Sequence, residues 1–442
     1  MNFISKYTLL ITSAATLLAY ICIGYWVPRE NFTALFGLYS LAFLSFVLLY
    51  KNESIAEKQL FRLGVLFRFV FLFGLPFWSQ DFYRFIWDGN LIVDGVNPYL
   101  NTPNQIINAT GINNAQELFS KMGSLSASHY SNYPPVNQLF FAISSFLGNQ
   151  SLFISALVLK TIILFSDIGI YYFGRKILLY LNQNPKKIFL YFLNPLIIVE
   201  LTGNLHFEGV MLFFFTVGLY LFLKEKWILA AIFIGLSIAT KLLPLLLLPF
   251  FYQKLGFKKS IYFYCIVIGI TAITFVPFLS PNLLANYSET IGLWFTNFEF
   301  NASIYYLVRE IGFYVKGYNI IGIVGRITPI ITILIILYFA FFRTNKKPID
   351  LFSNALIALS VYFFISTTVH PWYSVNLVFL AIFTRFKFPI IWSYLIVLSY
   401  FAYSQFPFKE NFFLLFVEYS IVFGVVLFEL FFSQKKVLSD GR

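Results

Sequence analysis

Long apolar runs separated by short polar turns recur along almost the whole chain. A helix needs about 20 apolar residues to cross the hydrocarbon core. On that measure the runs predict spans near 7–27, 32–50, 62–79, 151–175, 188–203 and 208–223. Further spans are predicted near 227–240, 242–253, 260–280, 319–342, 350–368, 372–385, 388–406 and 411–433. The pair within 227–253 is short and interrupted by Lys241 and Pro244, as in a helical hairpin that reaches only part-way. The stretch 136–148 is too short to span and is expected at the interface. The first run follows Lys6 but lacks a small-residue cleavage site, so it reads as an uncleaved span. The pattern thus predicts an all-α polytopic membrane protein of about 12–14 transmembrane helices. It forms a single integral-membrane domain over 1–442, with a long first outer loop at 80–135 that contains interfacial helices and a second outer loop at 281–318.

Composition sharpens this. Hydrophobic residues make up 59% of the 442 and charged residues only 11%, with mean hydropathy +0.77. A soluble domain would be about a quarter charged, so a soluble globular protein, a nucleic-acid binder and a disordered chain are excluded. The net charge of +12 is spread in short clusters between apolar runs. The 58 Phe and 29 Tyr suit lipid-facing helices with aromatic belts. Cys22 and Cys265 both sit in apolar runs, and they offer neither a disulfide framework nor metal-ligand spacing.

The basic clusters set the orientation. With the N-terminus inside, the cytoplasmic segments hold Lys6, Lys51, Lys58, Arg62, Arg175, Lys176, Lys186, Lys187, Lys224 and Lys226. They also hold Lys254, Lys258, Lys259, Arg343, Lys346, Lys347, Arg385, Lys387, Lys435, Lys436 and Arg442, leaving a small minority of the 31 Lys and Arg outside. This bias places both termini in the cytoplasm. The polar chemistry then falls on the outer side, where His129, His206, His370, Asp81, Asp88 and Glu208 all lie.

The most informative stretch runs from Trp78 through Asp81, Arg84, Asp88 and Gly95 to Tyr99. Asp81 stands at the membrane boundary, where desolvation raises a carboxylate and Arg84 would pull it down. A carboxylate so placed is a candidate general base. Asp81, Arg84 and Asp88 would share one helix face at i, i+3, i+7, and the loop continues to Tyr133-Pro-Pro135, longer than a connector requires. The competing reading is an interfacial anchor in which these charges simply pair.

A second cluster, Asn204-Leu-His206-Phe-Glu208, can bind a phosphate or metal, or cap two helices. Lys241, flanked by apolar residues at a helix break, is costly without an anion, and a phosphate at the lipid–water boundary meets that need. His370, in His370-Pro-Trp372-Tyr373, can donate to a phosphate or a sugar hydroxyl. The outer loop 281–318 adds Trp294, Asn297, Glu299, Asn301, Tyr305, Tyr306 and Arg309, a mixture that suits sugar stacking or an interfacial helix. Within the membrane, Lys160 and Asp167 share a helix face, with Arg68 and Glu200 also buried. Such charges are expected to pair structurally. The outer loops contain no Gly-rich phosphate loop, Walker motif or Ser–His–Asp arrangement, which excludes an ATP-driven machine.

Taken together, Asp81-x-x-Arg84-Phe-Ile-Trp-Asp88-Gly, Gly95-x-Asn97-Pro-Tyr99 and Tyr133-Pro-Pro135 resemble the GT-C superfamily of integral-membrane glycosyltransferases. The closest likeness is to bacterial polyprenol-phosphate-mannose-dependent mannosyltransferases. Asn204-x-His206-x-Glu208, Lys241-x-x-Pro244 and His370-Pro-Trp372-Tyr373 extend the resemblance over about 60 to 385. The resemblance implies transfer of a hexose, mannose above others, from a polyprenyl-phosphate donor to a glycan or lipid-linked acceptor at the outer face of a bacterial cell membrane. It implies Asp81 as general base in an inverting displacement, with Lys241, His370, His206 and Arg309 at the donor phosphate. It also implies substrate contacts from Arg84, Asp88, Asn97, Tyr99, Tyr133, Asn204, Glu208, Trp372 and Tyr373. Many members carry an acidic pair where this chain reads Asp81-Phe82-Tyr83, so no divalent metal or other cofactor is expected to be required. The rival readings are a flippase or transporter of lipid-linked sugars and a polysaccharide polymerase. The first expects internal repeats and mid-depth polar sites, the second an outer loop rich in Arg and His.

Overall fold

The computed structural model describes residues 3–431, and the cytoplasmic assignments of Lys6, Lys435, Lys436 and Arg442 concern side chains outside that description. The described chain is a helical membrane bundle. Among the described residues, seven helices are long and apolar enough to cross a membrane, from Tyr7–Tyr25 and Phe32–Lys51 to Phe412–Phe431. An eighth arises if Pro195–Gly203 and Glu208–Leu223, bent by 113°, count as one span.

Several of the other apolar runs are broken into pieces each too short to cross alone. In 188–203 the break comes at Asn194-Pro195. The residue before a proline is pushed to extended backbone, and Asn194 has ψ 125°. A short helical turn Pro195–Ile197 and a wide turn Ile198–Gly203 follow, and residues 191–210 are buried throughout. Irregular backbone at membrane depth is tolerated where protein surrounds it. The run 372–385 divides into Pro371–Ser374 and Val375–Ala381, and 388–406 into Phe388–Leu395 and Ile396–Ser404. Leu243–Phe278 passes as one long helix by composition, yet Gly256 (φ +72°) breaks it beside Lys254, Lys258 and Lys259. The two spans predicted at 242–253 and 260–280 are therefore physically distinct pieces.

The intramembrane charges do pair, but in a different combination. Arg68 Nε donates to Asp167 Oδ2 at 2.7 Å, both side chains having no exposure, and Tyr191 Oη donates to Asp167 Oδ1 at 3.0 Å. The guanidinium also donates to the carbonyls of Gly64 and Phe192. Lys160 donates instead to the carbonyls of Phe71 (2.7 Å) and Gly74 (2.6 Å). The last carbonyls of a helix have no partner within it, and Glu57–Leu72 ends there, so a lysine satisfies them. Lys160 thereby fixes the point where the chain leaves this helix for Trp78 and Asp81.

The segments predicted on the cytoplasmic side meet one another at one end of the bundle. Arg175 pairs with Glu57, Lys186 donates to Asn52 O, and Lys187 to Thr384 O. The turns bearing Asp81, His206, Lys241 and His370 meet in a separate cluster. The helix Asp81–Val93 packs on Pro135–Gly148, and the close approach leaves no room for a side chain at Gly89, which faces the Phe141 carbonyl. The segment 136–148 is thus half packed and half exposed, with Phe146 72% and Leu147 56% exposed.

Candidate active site

Asp81 is the first residue of its helix, and its side chain is 40% exposed. The preceding turn is braced from two sides. Arg29 donates to Trp78 O and Gln80 Oε1, and Trp78 donates its backbone N–H to Asn204 Oδ1 and its indole N–H to Val27 O. The Asp81 backbone N–H donates to Ser79 Oγ. Its carboxylate faces His206, with Nε2 3.8 Å from Oδ2. Ser79 Oγ lies 3.4 Å from the same Nε2.

His206 is buried and held on every side. Its backbone N–H donates to Glu200 O, and Nδ1 lies 3.2 Å from Glu200 Oε2. Glu200, with no exposure, accepts from Tyr400 Oη (2.7 Å) and Asn204 Nδ2 (3.2 Å). The imidazole stacks on Trp372 with centroids 3.8 Å apart. Trp372 stacks in turn on His370 (4.3 Å), and His370 on Phe300 (5.1 Å). Burial pushes His206 down, but the neighbouring carboxylates of Asp81 and Glu200 outweigh it and raise its pKa from 6.5 to about 9. The ring is therefore cationic at neutral pH.

For Asp81, burial pushes the pKa up, while the facing His206, followed by His370 and Lys241, brings it below the ordinary 3.8. The sequence reading gave this lowering role to Arg84, and the structure corrects it. Arg84 points the other way, pairing with Asp88 at 2.7 Å and donating to the carbonyls of Ser126 and His129. Asp88 also accepts from Ser131 Oγ and Gln138 Nε2 and has no exposure. The pair is an i,i+4 contact on one helix that pins the loop, and neither side chain faces Asp81.

Lys241 sits at the break between Trp227–Ile238 and Leu243–Phe251, as the sequence placed it, and pairs with Glu208 at 2.5 Å. His370 is buried, with Nδ1 unpartnered. Burial, opposed by the charge of Asp81 and aided by those of His206 and Lys241, holds it down to about 3. Its unpartnered ring nitrogen leaves it able to hydrogen-bond a ligand. Tyr373 lies edge-on to His370.

Asn97, Tyr99 and Tyr133 form a scaffold. Asn97 accepts from the Tyr99 N–H and donates to Phe278 O, and Tyr99 Oη donates to Tyr133 O. Arg309 is not brought to the Asp81 cluster. It pairs with Glu299 (2.6 Å) and Glu310 (2.9 Å) and lies over the Tyr306 ring. The loop 281–318 still reaches the site, because Phe300 forms a parallel backbone bridge beside Thr368 that lays its ring on His370. Among the described residues, no group of three or more His, Cys, Asp or Glu is arranged to hold a metal ion.

Sequence reasoning missed the place of Glu200, grouping it with structural membrane charges. The available signal was an acid in an apolar run six positions before His206, downstream of an Asn-Pro break. The stability conferred by its ion pair with His206 has a definite sign. A raised imidazole contributes fully below pH 6.5 and loses its contribution as pH rises toward about 9. The thermal midpoint in detergent is expected to fall across that window, and to stay flatter in His206→Gln. Equal slopes for the two proteins would show that His206 is neutral in the fold.

The fold and site define a polytopic helical membrane protein with a half-open carboxylate set among basic side chains at one end of the bundle. The chain belongs to the family described as alpha-(1->6)-mannopyranosyltransferase, N-terminal domain, which matches residues 12–255, more than half of its length. It is similar to alpha-(1->6)-mannopyranosyltransferase A of Mycobacterium tuberculosis, 23% identical over 180 residues, or 40% of this chain. The matched part spans about a third of that relative, 33% of its length. No solved structure matches.

Proposed function

We propose that this protein is an integral-membrane hexosyltransferase that moves mannose from a polyprenyl-phosphate donor to a glycan or lipid-linked acceptor. The observation that carries the reading is the convergence of a half-exposed carboxylate with His206 and Lys241 at one end of the bundle. Glycosyl transfer from a lipid phosphate needs both a base for the acceptor and cations for the leaving group. The acceptor hydroxyl oxygen attacks the anomeric carbon, its proton passes to Asp81, and the carbon–oxygen bond to phosphate breaks with inversion. The transition state has oxocarbenium character, as in glycoside hydrolysis. Charge builds on the departing phosphate, where fixed cations contribute most. His206 and Lys241 carry that charge, His370 adds a hydrogen bond, and Trp372 and Tyr373 border the same space. Arg84 and Asp88 hold the loop in shape. No metal enters the reaction. The site lies on the outer face of a bacterial cell membrane, in keeping with the basic segments gathered at the opposite end.

The test is transfer of labelled sugar in membranes, using a panel of polyprenyl-phosphate sugars with and without EDTA. The expected result is new glycosidic product from the mannosyl donor, undiminished by EDTA. Label that crosses the membrane with its bond to phosphate intact would instead establish a transporter.

A further inference from the structure

Both cations of the site have carboxylate partners: His206 has Asp81 and Glu200, and Lys241 has Glu208. These pairs are not equivalent. Glu208 is buried, with its carboxylate 2.5 Å from the ammonium. Lysine has three donors and can keep Glu208 while giving another N–H to a ligand. Imidazolium has one N–H at each nitrogen. Nδ1 faces Glu200, which Tyr400 and Asn204 immobilise, and the ring is clamped against Trp372. Nε2 is the nitrogen turned toward Asp81, with Ser79 Oγ 3.4 Å away. It stands 3.8 Å from Asp81, beyond hydrogen-bond distance, and that carboxylate is the exposed member of the pair.

We propose that the donor's phosphate replaces Asp81 as the anion facing His206 Nε2, so that the donor itself releases the base. This rests on the transferase reading and adds an order of events to it: Asp81 is a paired, weak base until the donor is seated, and a free, stronger one afterwards. An anion inserted beside His206 removes the attraction that favours the ionised carboxylate and adds a repulsion. The groups facing Asp81 are His206, His370 and Lys241, with Glu200 and Glu208 behind two of them and the phenols of Tyr133, Tyr373 and Tyr403 nearby. Among these His206 is the cation whose partner can change. Glu200 is then a positioning residue, which keeps the imidazole charged and aimed.

The experiment measures binding of a labelled short-chain polyprenyl-phosphate-mannose to the full chain in detergent. Asp81→Asn is expected to bind it more tightly, on the order of tenfold, the scale of coupling between two competing ligands. His206→Gln is expected to bind it more weakly, and Asp81→Asn added to His206→Gln should bring no gain. Unchanged or weaker binding by Asp81→Asn overturns the exchange. So does a gain that persists without His206, which would be general charge repulsion. If no protein binds the probe, the transferase reading fails and the exchange fails with it. A second readout needs no variant. The acid limb of kcat/KM for the donor reports the free enzyme and that of kcat the bound one. The kcat limb should lie at higher pH, and coincident limbs would overturn the proposal.

Discussion

Asp81→Asn lowers sugar transfer by roughly 100- to 10,000-fold, the range for losing a general base, with the thermal midpoint near that of the wild type. The substitution preserves shape, and the Asp81 backbone N–H keeps its acceptor, Ser79 Oγ. The side chain is 40% exposed, so a neutral amide is easily hydrated there. His206 keeps Glu200 as its counter-charge, so no buried charge is stranded. The loss would therefore fall on chemistry and spare the fold. Labelled transfer in membranes, set beside melting of the purified protein, checks both halves. Normal transfer by the variant would make Asp81 an interfacial anchor and end its assignment as base.

The second large effect has the opposite character. Arg68→Met leaves Asp167 ionised or protonated in a site with no exposure, with only Tyr191 still bonded to it. Removing one partner of a buried ion pair costs about 3–5 kcal/mol. The same change frees the carbonyls of Gly64 and Phe192 and removes the guanidinium lying over the Phe192 ring. Yield of monodisperse protein and its melting temperature should both fall sharply. Arg68→Lys should rescue little, since an ammonium cannot reproduce the planar fork that reaches a carboxylate and two carbonyls together. Arg68→Met combined with Asp167→Leu should regain part of the loss, because no charge is then left unpaired. A single variant that melts with the wild type would mean that water reaches Asp167.

What was legible in the sequence follows from what helical spacing can express. Apolar periodicity and charge poverty announce a helical membrane protein. Lys241 beside Pro244 announced a break with a cation at its tip, and the structure has both. Spacing also grouped Asp81 with Arg84, but it cannot say which neighbouring element reaches a helix end. The imidazole that faces Asp81 arrives from a turn more than a hundred residues later. Lys160 and Asp167 share a face by spacing, yet each found its partner on another segment, one at a helix terminus and one at Arg68. The breaks within spans were not legible, because hydropathy sums side chains and ignores the backbone consequences of Asn194-Pro195 or Pro371. Glu200 was misjudged for the same reason as Lys160. Burial was evident, but the identity of its neighbour depended on a turn geometry that no local pattern encodes.

The bridge between Phe300 and Thr368 joins main-chain groups, the Phe300 N–H to Thr367 O and the Val369 N–H to Phe300 O. While it holds, the loop 281–318 and the turn that carries His370 and Trp372 form a single mechanical body. Any displacement of that loop would therefore be passed to Trp372 and its stack on His206. The aim of the imidazole is thus tied, through one main-chain bridge and a stack of rings, to a segment some hundred residues further along the chain.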